Sequence, residues 1–128
     1  MRKKVMIIDD EKDYCYFIKT NLEMSGGYSV YTLSNSKLAA RIASTFKPSV
    51  IILDIMMPGV DGFAVLKELK NNKNTLAIPV IMLSALHGNE DKLKASNLYS
   101  EEYLIKPIEL NFLRTRIDQV LDRSRQPG

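Results

Sequence analysis

The chain has 128 residues, of which 45% are hydrophobic and 26% are charged, a composition typical of one soluble globular domain with its own core. Its 18 basic and 15 acidic side chains leave a net charge of only +3, which argues against a polycationic surface for nucleic acid or membranes. The single cysteine, Cys15, excludes an internal disulfide and a cysteine-based zinc site, and it favours the cytoplasm.

No stretch of the sequence predicts secretion or membrane insertion. Only Val5–Ile8 are apolar near the N-terminus, and this run is too short for the hydrophobic segment of a secretion signal. No apolar run approaches the roughly 18 residues that a membrane-spanning helix needs. We therefore expect a soluble cytoplasmic protein without a membrane partner.

Five short apolar runs predict five strands. They are VMIID (5–9), YSVYTL (28–33), VIILD (50–54), VIML (80–83) and YLIK (103–106). Three of the runs are nearly continuous Val, Ile, Leu and Met, as expected for strands that are covered on both faces. The run YSVYTL alternates between apolar and polar residues instead, so we predict that it forms an edge strand.

Helical patterns lie between the strands, with apolar residues three and four positions apart. The marker residues are Tyr14, Phe17, Ile18 and Leu22 for the first helix, Leu38, Ile42 and Phe46 for the second, Phe63, Leu66 and Leu69 for the third, residues 90–98 for the fourth, and Leu110, Leu113, Ile117, Val120 and Leu121 for the last. Alternating strands and helices predict an α/β fold, a doubly wound (βα)5 sandwich with a parallel sheet. Ligands of such sheets bind at the carboxyl ends of the strands.

Four of the five predicted strands end in or beside a polar residue. These residues are Asp9 and Asp10 after the first strand, Asp54 at the third, Ser84 at the fourth and Lys106 at the fifth. Mg²⁺ would offset the repulsion among the carboxylates, and a carboxylate beside it can attack phosphorus as a nucleophile. Lys106 would supply positive charge to a phosphoryl group and Ser84 a hydrogen bond.

Other interpretations of these residues remain open. Asp10 could cap the following helix. Taken singly, Asp54 could be a loop acid, Ser84 a turn residue and Lys106 a solvated charge. A Mg²⁺-dependent phosphohydrolase also uses an Asp nucleophile, but it would favour a second Asp at position 56, which is Met56. A module for flavin mononucleotide would favour a Ser-, Thr- or Gly-rich loop after the first strand, where this chain is acidic.

Four segments resemble the receiver domain of two-component response regulators, in that family's order and spacing. They are IIDDE (7–11), LDIMMPGVDGF (53–63), PVIMLSA (79–85) and YLIKP (103–107), and the resemblance covers residues 4 to about 123. It implies a flavodoxin-like sheet of order 2-1-3-4-5, with a receiver domain over residues 1–123 and a tail or linker start over 124–128. It implies a signalling switch of a phosphorelay, not an enzyme with a separate substrate.

The resemblance also implies a role for each residue of the site. Asp54 would accept a phosphoryl group from a phosphohistidine on a sensor histidine kinase or a histidine phosphotransfer protein. Asp10 would bind Mg²⁺ directly, together with Asp54 and the backbone carbonyl of Met56, while Asp9 helps, often through water. Ser84 and Lys106 would hold the phosphoryl oxygens.

Further residues would shape the site and transmit its state. Pro58 and Gly62 would shape the loop after Asp54, and Pro107 would follow a cis peptide bond. Tyr103 would turn inward when Ser84 moves toward the phosphoryl group, which changes the surface of the fourth helix, fifth strand and fifth helix for a downstream effector. Met56 and Leu86 are apolar where many members are polar, so we predict a phosphorylated state that decays slowly. Tyr99 and Ser100 replace a common Gly-Ala pair, and the only histidine, His87, is expected to be a solvated loop residue.

Overall fold

The parallel five-stranded sheet predicted from the sequence is present. The computed structural model describes residues 2–85 and 100–125, with side chains up to residue 123. The strands are β1 (Lys3–Ile8), β2 (Tyr28–Leu33), β3 (Val50–Asp54), β4 (Val80–Ser84) and β5 (Glu102–Ile105). Their order is β2-β1-β3-β4-β5 and each neighbouring pair is parallel, which confirms the flavodoxin-like order 2-1-3-4-5. The alternating run YSVYTL is β2, and it lies at an edge as predicted.

Four of the predicted helices fall within the described residues. They are α1 (Lys12–Met24), α2 (Ala39–Phe46) preceded by a 3₁₀ turn (Ser36–Leu38), α3 (Gly62–Lys70) and a C-terminal helix (Leu110–Arg125). The chain turns away after α1 through Gly26 and Gly27, whose φ angles of 84° and 86° suit glycine. The predicted fourth helix over 90–98 lies outside the described residues, as do Leu86, His87 and Tyr99.

Alternate residues of the central strands supply two apolar clusters, one on each face of the sheet. Met6, Ile8, Ile51, Leu53 and Met82 pack with α2 and α3 on one face. Val5, Ile7, Ile52, Ile81 and Leu83 pack with α1 and the C-terminal helix on the other. Burial on both faces explains why these strands are nearly continuous apolar runs. Within the described ranges, no helix has the length and apolarity to cross a membrane.

The reversal of strand order places the candidate site. β1 and β3 are neighbours, β2 lies on the other side of β1, and β4 lies on the other side of β3. The connections that follow β1 and β3 therefore run in opposite directions along the sheet. A crevice opens at the carboxyl ends of two such strands, because their following connections run to opposite faces. Asp9 directly follows β1 and Asp54 is the last residue of β3, so both border this crevice.

The loop after β3 holds a short hairpin that the sequence did not predict. Met56–Met57 and Val60–Asp61 pair as antiparallel strands of two residues each. Pro58 and Gly59 form the turn between them, and Gly59 has a φ of 71°, which is the residue pair that a type II turn favours. Pro58 is thus part of a tight turn in the loop that follows β3.

Candidate functional site

Four side chains from four strand ends lie in one layer at the carboxyl edge of the sheet. Asp9 and Asp54 are 2% and 3% exposed, and Ser84 is fully buried at the end of β4. The Lys106 side chain, directly after β5, is 13% exposed. The parallel register brings these ends together, since Asp54 pairs with Leu83 and Ser84 with Ile105.

The ammonium group of Lys106 lies among the carboxylates. Its Nζ is 2.9 Å from Asp9 Oδ2, 2.9 Å from Glu11 Oε1 and 3.7 Å from Asp54 Oδ2. Burial alone would lower the pKa of Lys106, but the hydrogen bonds to Asp9 and Glu11 outweigh it and raise the pKa above its usual value. The lysine is therefore charged across the physiological range and neutralises part of the acidic site. The peptide bond between Lys106 and Pro107 is cis, as the resemblance implies.

Three carboxylates form a cluster that could hold a cation. One oxygen each of Asp9, Glu11 and Asp54 lies within 4.8 Å of the others. Two unit charges 4 Å apart interact by roughly 4 kcal/mol at an effective dielectric of 20, so the three carboxylates repel one another, and the single charge of Lys106 offsets this only in part. Hard carboxylate oxygens are the donors that Mg²⁺ prefers. The donor set thus fits magnesium.

The cluster differs in one member from the predicted set of metal ligands. Glu11, which the sequence analysis did not assign, belongs to it, whereas Asp10 does not. The only sequence signal for Glu11 was its place in the acidic run IIDDE. Asp10 does not cap α1 either, because the N-cap residue is Glu11 and no side chain bonds there. Instead, Asp9 Oδ1 accepts a hydrogen bond from the Glu11 backbone N–H at 2.9 Å. The metal-binding role of Asp10 stays a prediction.

Asp54 is electrostatically strained and held by the backbone. Burial and the nearby charge of Asp9 raise the pKa of Asp54 to about 6 from its usual 3.8, although Lys106 acts in the opposite direction. Its Oδ1 accepts a hydrogen bond from the Met56 N–H at 3.3 Å. The carboxyl group is therefore mostly ionised at neutral pH, and any added positive charge nearby would stabilise the ionised form.

Gly62 allows the hairpin loop to return close to Asp54. A Cβ atom at this position would lie 2.5 Å from Ile55 Cα and closer still to the Asp54 carbonyl oxygen. The Gly62 N–H also donates to the Ile55 carbonyl at 2.9 Å, and Asp61 caps α3 by accepting from the Phe63 N–H. Gly62 therefore lets the chain pass close to the end of β3 as it enters α3.

The predicted switch residues border the same layer. Ser84 is buried at the end of β4. Tyr103 on β5 is half-buried and packs against the apolar cluster under α2 and α3. Met56 is 59% exposed in the hairpin and presents an apolar side chain beside the site. No side chain of the described residues other than Asp9, Glu11 and Asp54 joins the acidic cluster.

This constellation is suited to reversible phosphorylation of a carboxylate. The crevice of the doubly wound sheet holds a buried Asp with a charged Lys within 4 Å, a buried hydroxyl, and an acidic cluster that could hold a divalent cation. Fold and site together define the class of phosphoacceptor domains with a flavodoxin-like fold.

Comparisons with known proteins agree with this class. The profile described as "Response regulator receiver domain" matches residues 5–118, so the chain belongs to the response regulator receiver family. The alkaline phosphatase synthesis transcriptional regulatory protein PhoP of Bacillus subtilis is 37% identical over 124 residues. That alignment covers 97% of this chain and 50% of the relative. The transcriptional regulator RpaA of Synechocystis is 34% identical and is covered to 50%. The chain thus spans about half the length of these curated relatives.

Solved structures give the same result for the fold. The receiver domain of the Francisella response regulator 1452 superposes with a TM-score of 0.86 at 35% identity, covering 97% of this chain and 100% of that one. A two-component response regulator from Clostridium difficile gives a TM-score of 0.89 at 28% identity, covering 98% and 100%. The protein has a phosphoacceptor signalling role in a two-component system. None of these relatives supports the phosphohydrolase alternative.

Proposed function

We propose that Asp54 is the phosphoacceptor of this receiver domain. The observation that carries the proposal is the Asp54 carboxylate at the end of β3, 3% exposed and 3.7 Å from the Lys106 ammonium. In the reaction, one Asp54 oxygen forms a bond to the phosphorus of a phosphohistidine while the phosphorus–nitrogen bond breaks. The bonding electrons return to the imidazole nitrogen, and Asp54 becomes an acyl phosphate.

Residues of this chain prepare the transfer in separate ways. The Met56 N–H donates to Oδ1 of Asp54 at 3.3 Å, while Oδ2 of Asp54 faces the Lys106 ammonium at 3.7 Å. Lys106 would turn its ammonium from the carboxylates to the transferred phosphoryl oxygens, and Ser84 would donate its hydroxyl to another. In the transition state the phosphoryl group is only loosely bonded to both partners, and fixed positive charges and hydrogen-bond donors supply most of its stabilisation.

Magnesium fits as the cofactor of this site. Asp9, Asp54 and the Met56 carbonyl are its proposed protein ligands, together with Asp10, while Glu11 lies within the acidic cluster. When bound, the ion neutralises carboxylates and attracts phosphoryl oxygens, which lowers the cost of bringing a phosphate dianion to an acidic crevice.

Phosphorylation would act on the molecule as a switch. The acyl phosphate would add charge and strong acceptor oxygens at Asp54, and Ser84 and Lys106 would contact these phosphoryl oxygens. When Ser84 moves, Tyr103 fills the space, and the surface around β5 and the C-terminal helix changes. An effector that binds one of the two surfaces better then senses the phosphoryl group.

The partners and setting follow from the same role. The phosphodonor would be a sensor histidine kinase or a histidine phosphotransfer protein in the cytoplasm, and turnover is limited to self-phosphorylation and slow dephosphorylation. We assign residues 1–123 to the receiver domain and 124–128 to a tail or linker start, and the C-terminal helix reaches Arg125. The relative RpaA is a DNA-binding regulator, but we assign no direct contact with nucleic acid to this domain.

Intact-mass measurement tests the proposal. Incubation with phosphoramidate and Mg²⁺ is expected to add the mass of one phosphoryl group to the wild-type protein. The gain should be absent in Asp54→Ala and absent when a chelator removes the ion. A gain that persists in Asp54→Ala would overturn the assignment of the phosphoacceptor.

A further inference from the structure

Tyr14 on α1 borders the phosphorylation site, and nothing above assigns it a function. Among the residues that the structure describes, its hydroxyl is the one buried side-chain oxygen or nitrogen without a hydrogen-bond partner. The rest of the side chain packs against the apolar cluster under α1 and the C-terminal helix. A buried hydroxyl without a partner gives no net stabilisation. What Tyr14 offers the site is therefore the face of its ring.

That ring faces the catalytic lysine. The Lys106 Nζ lies 4.7 Å from the centre of the Tyr14 ring. A cation over an aromatic face is attracted by the negative potential of the ring, and the attraction is stronger where water is excluded. The Lys106 side chain is only 13% exposed. The contact thus falls in the stronger part of the range known for cation–π pairs.

The other contacts of Lys106 change during the proposed reaction or are weak. Glu11 is 60% exposed, and ion pairs with such exposed groups contribute little. Asp9 holds the ammonium at 2.9 Å but is also a proposed Mg²⁺ ligand. The ammonium must then shift toward the phosphoryl oxygens on Asp54, which is now 3.7 Å away. The Tyr14 ring carries no charge and takes no part in these exchanges, so it remains beside the lysine throughout.

We propose that Tyr14 is a positioning residue for phosphoryl transfer: its ring holds the Lys106 ammonium in place over the acidic crevice while the charged partners of that ammonium change. The inference rests on the proposed phosphoacceptor function of Asp54. A lysine side chain has four rotatable bonds and loses much rotational freedom when it is fixed. A ring that restricts it beforehand reduces the cost that would otherwise be met in the transition state.

Substitutions at Tyr14 separate the ring from the hydroxyl. In Tyr14→Leu the ring is lost, and we expect transfer from phosphoramidate with Mg²⁺ to slow about tenfold at saturating donor. In Tyr14→Phe the ring face remains, so the rate is expected to stay within about twofold of wild type. Tyr16→Leu is the matched control, because Tyr16 lies on the same helix but is 70% exposed.

Two further measurements exclude a merely structural effect. The ring should shift the NMR signals of the Lys106 ε-methylene protons upfield in the wild type, in Tyr14→Phe and in Tyr16→Leu, and this shift should vanish in Tyr14→Leu. In a Lys106→Met background, Tyr14→Leu should cause no additional slowing, because Tyr14 acts through the lysine.

The outcomes are distinguishable. A wild-type protein that gains no phosphoryl group overturns the proposed function and this inference with it. A wild-type protein that is phosphorylated, together with a Tyr14→Leu variant that reacts as fast, overturns this inference alone. An unchanged Lys106 methylene signal in Tyr14→Leu would also overturn this inference. The same holds if Tyr14→Leu still slows the reaction tenfold in the Lys106→Met background.

Discussion

The carboxyl group of Asp54 is buried beside another acid, yet the reaction needs it ionised. Its pKa of about 6 reflects burial and the charge of Asp9. The folded-state pKa is higher than the usual 3.8, so the contribution of this group to stability is complete below pH 3.8 and is lost as pH rises through about 6. The unphosphorylated site without its cation is therefore a source of instability at neutral pH and above.

Asp54→Asn should remove this instability. We expect the variant to be more stable than wild type by about 1 to 3 kcal/mol at pH 8 without divalent cations, and the difference should shrink at pH 4. Urea unfolding at the two pH values measures it, with the exposed Asp122→Asn as control. A variant less stable than wild type at pH 8 would contradict the electrostatic account of the site.

A second prediction at this scale concerns which acids bind the ion. Asp10 is a proposed direct ligand, whereas Glu11 is 60% exposed and paired with Lys106. We expect Asp10→Asn to weaken Mg²⁺ binding by about tenfold or more, and Glu11→Gln to change it much less. Calorimetric titration with Mg²⁺ compares the two variants directly. The reverse ranking would transfer the ligand role to Glu11.

The elements of the fold differ in how far the sequence predicted them. The buried strands were predictable because residues covered on both faces must be apolar, as Ile51 and Ile81 are. The two-residue strands of the hairpin were not, since they are too short for any periodicity and depend on the turn at Pro58 and Gly59. Convergence of Asp9, Asp54 and Lys106 followed from the topology. The presence of Glu11 in the acidic cluster did not, because it depends on which way the individual side chains of one loop point.

Gly62 lies where the hairpin and α3 approach Asp54, the proposed phosphoacceptor. Because a Cβ here would meet the backbone of Asp54 and Ile55, Gly62→Ala must displace the end of β3 or the start of α3. We expect a loss of about 2 to 4 kcal/mol in the free energy of unfolding and a slower transfer to Asp54. Ala64→Ser, at an exposed position of the same helix, is the control for both measurements. If Gly62→Ala has the stability and the phosphoryl-transfer rate of the wild type, Gly62 does not approach the backbone of Asp54 and Ile55 this closely.

At the amino-terminal ends of the strands, Asp118 of the C-terminal helix forms hydrogen bonds to the first residues of β1 and β2. Its Oδ1 accepts hydrogen bonds from Tyr28 at 2.6 Å and from Lys3 at 2.8 Å. Burial opposes ionisation, but these hydrogen bonds outweigh it and lower the pKa of Asp118. Because the folded-state pKa is lower than the unfolded one, the stabilisation is present above the unfolded value and is lost as pH falls through the folded value.

Asp118→Asn should therefore destabilise the protein in a pH-dependent way. The carboxylate is partly exposed, so we expect a loss of only about 0.5 to 1 kcal/mol at pH 7, which fades as the carboxylate becomes protonated in acid. Urea unfolding at pH 7 and at pH 2.5 measures the effect. The rate of phosphorylation should not change, since Asp118 lies at the other edge of the sheet from Asp54. An equal loss of unfolding free energy at both pH values would contradict the stabilisation by charge-assisted hydrogen bonds to ionised Asp118.

At the scale of the whole molecule, the acidic site lies at the carboxyl ends of the strands, and the proposed output surface lies around β5 and the C-terminal helix. The lifetime of the phosphorylated state then sets the duration of the signal. Met56 is exposed beside the site and has no group that could orient an attacking water. We expect the phosphorylated protein to decay slowly with Mg²⁺ alone, and Met56→Asn or Met56→Glu to shorten its half-life. Decay within seconds in the wild type would contradict this prediction.

The most direct test of the central claim locates the phosphoryl group on the chain. Borohydride reduces an acyl phosphate to an alcohol, so treating the phosphorylated protein and mapping its peptides by mass identifies the modified residue. The account predicts a single reduced side chain at position 54, formed only when Mg²⁺ was present. Reduction at Asp9, Asp10 or any residue other than Asp54 would contradict it.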